Sequence, residues 1–291
     1  MVQLGLTLVR STGNKRAVSI MDILETYLLK EIERKNISSN LGNKIVYLHE
    51  VDSTNKYALN NSQQFGNGSI IITDKQTNGR GRLNRKWESP EGKNLYLSIL
   101  LKDPPFLPAD SPSLNIMISL ALAITFEKFG TAKPTIKWPN DILFDNKKIA
   151  GILIEGQFNE KKINKLAIGI GININSTKEE FSEEIRARST SLYILQKTYI
   201  KRENFLEVFL HYLNLCYNNF IKKGLKNIKE RWEEYFSWIG KEVNVINYDE
   251  VITGKVIGID EKGLLVINIE GKETKIIAGD ISIRRKDATG Y

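Results

Sequence analysis

The apolar pattern of this chain changes period once, close to residue 239, and that change divides what it can fold into two units. Before it, strand-length runs rich in Ile, Leu and Tyr, at residues 45–51, 69–73 and 95–101, alternate with longer stretches of helical spacing. Pro112 and Gly130 frame an apolar helix through Ile116, Ala123 and Phe126. A short strand follows at 135–138, then a hairpin whose arms, 142–144 and 148–155, are joined by Asp145-Asn146, and a further strand at 166–174. Helical periodicity returns through Phe205, Val208, Phe209, Tyr212 and Leu215, and then Ile228, Trp232 and Tyr235. From Gly240 to Arg285 only short Val/Ile-rich strands remain, separated by polar turns at 247–250, 260–263 and 270–273. The pattern predicts an α+β domain, a mixed β-sheet with helices on one side, followed by a small β-barrel. The boundaries are 1–44 for an N-terminal extension and helix, 45–239 for the large domain and 240–291 for the small one. A chain of 291 residues is long for one core and suits one large and one small domain.

The extension itself is uneven. Residues 1–20 have little apolar periodicity, whereas Ile23, Leu24, Tyr27, Leu28 and Ile32 fall at helical spacing behind a start signal at Asp22 and Glu25. Met21 is a candidate alternative start.

Composition excludes several classes. Cys216 is the only cysteine, which rules out an internal disulfide framework, and His49 and His211 do not stand at ligand-like spacing, so no protein metal site is predicted. The sequence has no apolar run of membrane-spanning length and no secretory h-region, and a cytoplasmic location is expected. The net charge of +8 is scattered along the chain, which points to solvated surface more than to one binding face.

One basic stretch stands apart. Residues 76–87 contain Gly79 and Gly81, which leave the backbone free for positive φ and close approach, among Arg80, Arg82, Arg85 and Lys86. Guanidinium and ammonium groups on a glycine-rich loop suit phosphate or carboxylate oxygens. A solvated basic turn and a nucleic-acid patch are the other readings of that stretch alone.

Four more blocks accompany it: Asp-Ser-Thr-Asn at 52–55, Lys-Trp-Pro-Asn-Asp at 137–141, Asn-Lys-Lys-Ile-Ala-Gly-Ile-Leu-Ile-Glu at 146–155 and Gly-Ile-Gly-Ile-Asn at 169–173. Together, and in this order, they resemble the biotin protein ligase family, and the similarity runs from about residue 45 to Arg285. The resemblance implies a class II synthetase-like ligase fold with an SH3-like C-terminal domain. It implies activation of biotin by ATP to biotinyl-5'-AMP and transfer to the acceptor lysine of a biotin carboxyl carrier protein or domain, of the acetyl-CoA carboxylase type. Substrates and cofactor would be biotin, ATP and Mg²⁺, and a homodimer is expected. Some members carry an N-terminal winged helix; the single helix here leaves no room for one, so DNA binding is not expected. A lipoate or octanoate ligase-like enzyme is the runner-up, and a nucleic-acid-binding protein the third reading.

Carried over by motif, Ser53, Thr54, Asn55, Gln76, Arg80, Gly81, Arg82 and Lys148 match biotin-binding positions. Arg82, Arg85, Trp87, Asn140, Asp141, Lys148 and Asn173 match ATP- or adenylate-binding positions, with Arg82 and Lys148 as the catalytic pair. Ser53 to Asn55 could equally start a helix as an N-cap motif, Trp87 could anchor its loop, and Asn140 and Asp141 could serve a turn. Lys147 competes with Lys148, and strand alternation would put the two on opposite faces. Gly169 and Gly171 are expected to allow close backbone approach. Leu83 and Asn84 depart from the family's usual basic or small residue followed by glycine, which bears on how the loop closes. Residues 175–190 match a segment that folds over adenosine in relatives, and the charge-rich 178–188 part reads somewhat better as a solvated helix.

Overall fold

A computed structural model describes residues 20–36, 38–158, 162–247, 250–277 and 281–285. Helix α1 (Ile20–Lys35) leads to β1 (Ile45–Val51), α2 (Thr54–Asn60), β2 (Ile70–Gln76) and β3 (Leu95–Lys102). Helix α3 (Ser111–Lys128) precedes β4 (Thr135–Lys137), β5 (Asp141–Phe144), β6 (Lys147–Phe158) and β7 (Ile163–Ile172). Short helices α4 (Glu183–Arg186) and α5 (Leu192–Gln196) come before α6 (Arg202–Lys223) and α7 (Lys229–Glu233). Gly224, with φ of 59°, ends α6 and divides the helical stretch that the sequence shows between 201 and 238.

The first seven strands form one sheet in the order β1-β2-β3-β7-β6-β5-β4. Only β1 and β2 are parallel. A parallel pair needs a connection across a face of the sheet, and α2 is that connection. Alternation then sorts the side chains. Ile70, Ile72, Leu97, Ile99, Ile168 and Ile170 join α3 and α6 in one large apolar cluster. Val46, Leu48, Ile71 and Ala167 point the other way, toward Ala58 of α2. The long helices α3 and α6 therefore fill one face, and α2 covers only part of the other. Helix α3 is apolar and long enough to pass for a membrane span by composition, yet twelve of its residues are buried in this core.

Strands β8 (Glu242–Asn247), β9 (Glu250–Ile259), β10 (Leu265–Ile269), β11 (Lys272–Ile276) and β12 (Ile281–Arg285) form the C-terminal sheet, all antiparallel, in the order β11-β10-β9-β8-β12. Among the described residues β11 and β12 do not pair, so the expected barrel is an open curved sheet. The outer side of β11 carries Lys272, Glu273 and Lys275 in solvent, and such charged side chains suit an unpaired edge.

One buried ion pair ties β2 of the large sheet to the start of α6. Arg202 Nη1 lies 2.7 Å from Asp74 Oδ1 and also donates to the Asn94 carbonyl at 3.2 Å, while the Tyr47 hydroxyl donates to Asp74 Oδ2 at 2.6 Å. Both side chains are 9% exposed, so water cannot replace a lost partner. Asp74→Ala is expected to lower unfolding free energy by about 3 to 5 kcal/mol, as removal of one partner of a buried ion pair does, measurable as a fall in urea midpoint at unchanged m-value.

Candidate active site

The site is built where the sheet lacks side chains. On the face away from α3, Gly151 of β6 pairs with Gly171 of β7, and Leu153 pairs with Gly169. On the other flank of β7, Ser98 pairs with Gly169 and Tyr96 with Gly171. A Cβ on Gly169 would stand 2.7 Å from Asn55 Oδ1, and one on Gly171 would stand 2.3 Å from Trp87 Cε2. A Cβ on Gly151 would meet Lys148 Cε at 2.8 Å and Trp87 Cζ3 at 3.0 Å. These glycines form a floor on which Asn55, Trp87 and Lys148 are seated. The cleft above it holds about 450 Å³, open mouth included.

At one end the cleft is polar and neutral. Thr54 and Asn55 open α2, and both are buried at 3% exposure. The Thr54 N–H and hydroxyl both donate to Gln76 Oε1, at 3.0 and 3.2 Å, and Gln76 Nε2 donates to Ser89 Oγ at 3.2 Å. The Ser98 hydroxyl lies 2.7 Å from Thr54 Oγ1 and 2.6 Å from Asn55 Oδ1. Asn55 Nδ2 donates to the Leu153 carbonyl at 3.1 Å and to Glu155 Oε2 at 2.8 Å. Ser53 occupies the N-cap position of α2, but its hydroxyl does not cap the helix and its residue lines the cleft.

About 7 Å along β7, two residues on, the cleft becomes cationic. Arg82 Nη1 donates to Asn140 Oδ1 at 3.3 Å. Lys148 Nζ lies 2.6 Å from Asp141 Oδ1 and 5.2 Å from the centre of the Trp87 ring. Asn140 is fixed to β6 from both sides, by its Nδ2 to the Ile152 carbonyl and by the Ile152 N–H to its own carbonyl, each at 2.9 Å. Regular alternation counted back from Gly151 would turn Lys148 away from the cleft. A β-bulge prevents that: Ile142 pairs with Ala150 but Leu143 with Lys148, so Ile149 is the extra residue and Lys148 rejoins the Gly151 face. Lys147 is exposed outside the cleft.

The basic stretch is a small hairpin over the mouth. The Trp87 N–H donates to the Gly79 carbonyl at 2.9 Å, Gly81 N–H to Arg85 at 2.7 Å and Arg85 N–H to Arg82 at 3.2 Å. Its turn residues Leu83 and Asn84 both have positive φ, 57° and 56°, which is the pattern of a two-residue type I′ turn. The positive φ values expected for Gly79 and Gly81 are absent; Gly81 has φ of −115°. Arg80 Nη2 reaches Glu155 Oε2 across the cleft at 3.1 Å.

Of the residues singled out in the sequence, Ser53, Thr54, Asn55, Gln76, Arg80, Gly81, Arg82, Trp87, Asn140 and Lys148 line this one cleft. Asp141 stands behind it on Lys148. Arg85 is exposed on the hairpin. Asn173 is 5% exposed and donates to the Thr190 carbonyl at 3.1 Å, so its amide is used in packing. Residues 178–188 do not form the solvated helix favoured above. Phe181 is buried at 4% and α4 spans four residues only. The segment's end pairs with Lys148 as a strand does, Lys148 N–H to the Arg188 carbonyl at 2.8 Å and Thr190 N–H to the Lys148 carbonyl at 2.9 Å. Ser98 and Glu155 carry the polar network without having been assigned to it. Glu155 closes a recognised motif, and Ser98, a hydroxyl in an otherwise apolar strand, was the available signal for the other.

Residues 47–173 match the Biotin/lipoate A/B protein ligase family, and residues 238–284 match the Biotin protein ligase C terminal domain. The bifunctional ligase/repressor BirA of Bacillus spizizenii is 33% identical over 248 residues, 84% of this chain and 75% of that protein. The biotin--[acetyl-CoA-carboxylase] ligase of Paracoccus denitrificans is 26% identical over 222 residues, 76% of this chain and 92% of that one. The biotin protein ligase of Aquifex aeolicus, solved in complex with biotin and ATP, superposes with a TM-score of 0.73 at 34% identity, covering 84% of this chain and 99% of that chain. The chain belongs to the biotin protein ligase family.

An L-residue with a Cβ costs roughly 1 to 2 kcal/mol in the left-handed region, and Leu83 bears that cost. Leu83→Asn combined with Asn84→Gly should therefore favour the closed hairpin and slow hydrogen exchange of the Gly81 and Trp87 amides about fivefold to tenfold. Unchanged exchange would mean that the turn does not limit closure.

Proposed function

We infer that this chain is an ATP-dependent ligase that joins biotin to AMP and then to the lysine of a biotin carboxyl carrier protein or domain. One observation carries the reading: a single cleft has a buried, neutral hydrogen-bonding end and a cationic end, separated by a glycine floor. A ureido ring offers two N–H donors and one carbonyl acceptor, which suits the hydroxyl and amide groups of Ser53, Thr54, Asn55 and Gln76. A carboxylate and an α-phosphate suit Arg82 and Lys148.

Two anions repel, and the cationic end lowers that repulsion while holding them in line. A biotin carboxylate oxygen attacks the α-phosphorus, the bond from that phosphorus to the bridging oxygen breaks, and pyrophosphate leaves with the electron pair. The acceptor amine then attacks the acyl carbonyl, AMP departs and the amine loses a proton. Neither step requires a covalent bond to the protein. Lys148 is placed to neutralise charge as it develops on the transferring oxygens, and Arg82 to retain the adenylate. Among the described residues no group of three or more His, Cys, Asp and Glu side chains could hold an ion. Mg²⁺ is accordingly assigned to the phosphates of its ATP substrate and to water.

The same reading includes a homodimer formed through the large sheet, supported by the outermost position of β1. It also includes a cytoplasmic location, supported by the single buried cysteine, with no membrane attachment. A role in DNA binding is not part of this reading.

The test is pyrophosphate release from Mg–ATP with biotin and, in parallel, with lipoate. Release with biotin alone is expected; release with lipoate alone would move the assignment to a lipoate ligase. Lys148→Ala should lower the single-turnover rate of adenylate formation by about 10²-fold or more. Arg82→Ala should instead speed escape of the formed adenylate, by about 10²-fold, followed as loss of bound adenylate by mass spectrometry. Wild-type kinetics in either variant would remove that residue from its role.

A further inference from the structure

The turn that presents Asn140 and Asp141 to the cleft is held from behind by the C-terminal sheet. Trp138 is 1% exposed, and its indole N–H donates to the Gly263 carbonyl at 3.0 Å. Gly263 lies in the turn between β9 and β10, which Asp260 shapes by accepting from the N–H groups of Lys262 and Leu264, each at 2.9 Å. Gly263 has φ of 79°, and a Cβ there would meet Ile116 Cγ1 at 2.9 Å and the Ser113 nitrogen at 3.2 Å. A second bond, from Ser113 Oγ to the Lys262 carbonyl at 2.9 Å, seats the same turn on the start of α3. The contact is therefore built for close approach and fixed at two points. Two residues beyond Trp138, Asn140 accepts from Arg82; one further on, Asp141 pairs with Lys148.

We propose that Trp138 and Gly263 form a positioning joint through which the C-terminal domain sets the placement of Arg82 and Lys148. Among the described residues that line the cleft, none comes from the C-terminal sheet, and this joint is a direct route from that sheet to the cationic clamp. Trp138 is a positioning residue: its ring packs, and its N–H fixes where the Asn140 turn stands. Loss of the N–H leaves a buried carbonyl without its partner and frees the turn to shift, and a shift of a fraction of an ångström in a cationic clamp is costly to rate. The neutral end of the cleft is assembled mainly on β2, β3 and α2, and it touches β6 only through Asn55, which donates to the Leu153 carbonyl and to Glu155.

The inference rests on the ligase reading above, and its test separates the two. Trp138→Phe keeps most of the ring volume and removes the N–H. Expected are a biotin Kd that weakens by less than the rate falls, a fall of about tenfold in single-turnover adenylate formation, and faster hydrogen exchange at the Ile152 amide, which donates to the Asn140 carbonyl. With Asn140→Ala as background, the same substitution should change the rate less than twofold, because both act through one turn. A role in packing alone would lower Tm while leaving adenylate formation in the folded protein at the wild-type rate, or would give losses that multiply with Asn140→Ala; either result overturns the joint. If Trp138→Phe does not fold, Gly263→Ala, which pushes the turn off α3, is measured in the same way. If the wild-type chain forms no biotinyl adenylate, the ligase reading fails, and exchange at Ile152 still decides the joint: an unchanged rate in Trp138→Phe removes it.

Discussion

The rest of the site depends on three missing side chains. Gly151, Gly169 and Gly171 stand on adjacent strands in the middle of the large sheet, and their Cα atoms are as close as the sheet lets a ligand, a Trp ring and an amide approach. Their common face is set by the other face. Ile152, Ile168, Ile170 and Ile172 belong to the core with α3 and α6, and a slip of one residue in β6 or β7 would exchange isoleucines for glycines across the sheet. The hydrophobic register that stabilises the domain is thus the same constraint that opens the cleft, and no separate device is needed to keep it empty of side chains.

On that floor the three cations are restrained differently. Arg80 and Lys148 each face a carboxylate, from Glu155 and Asp141, whereas the Arg82 guanidinium donates to the neutral amide of Asn140. The carboxylates hold their cations in position, and both pairs are partly exposed, so solvent weakens them. An anion entering the cleft competes with Asp141 for Lys148 and with Asn140 for Arg82. The ammonium of Lys148 is given up by Asp141 as negative charge grows on its other side.

Much of this was legible in the sequence, and the failures have identifiable causes. The strands and the long helices follow from period and turn chemistry, because the apolar residues involved are also the buried ones, whereas the gathering of the five motif blocks into one site was implied by the family resemblance. The path of residues 178–188 does not follow from period. Its exposed charges dominate the pattern, while a few residues, Phe181, Thr190 and Ser191, decide where it packs. The bulge at Ile149 leaves no trace in composition, yet it determines which of two neighbouring lysines enters the cleft. Closure of the C-terminal barrel was expected from the run of short strands and polar turns, whereas pairing depends on two edges meeting, which that pattern does not specify. Glycines were read in the basic stretch as sources of positive φ, but the hairpin geometry transfers that demand to Leu83 and Asn84.

That transfer bears on how the cleft is covered. An isolated two-stranded hairpin is marginal in water, and this one also places Leu83 in the left-handed region with its side chain 46% exposed. Its closed position therefore draws on contacts across the cleft: Trp87 on the glycine floor, Arg80 with Glu155 and Arg82 with Asn140. A ligand between the two sides adds contacts of its own to the hairpin's arginines and loses them when the hairpin opens. Occupancy and hairpin order are then one equilibrium, biased by whatever anion bridges Arg82 and Lys148, and the strain at Leu83 sets how far the empty protein lies toward the open side.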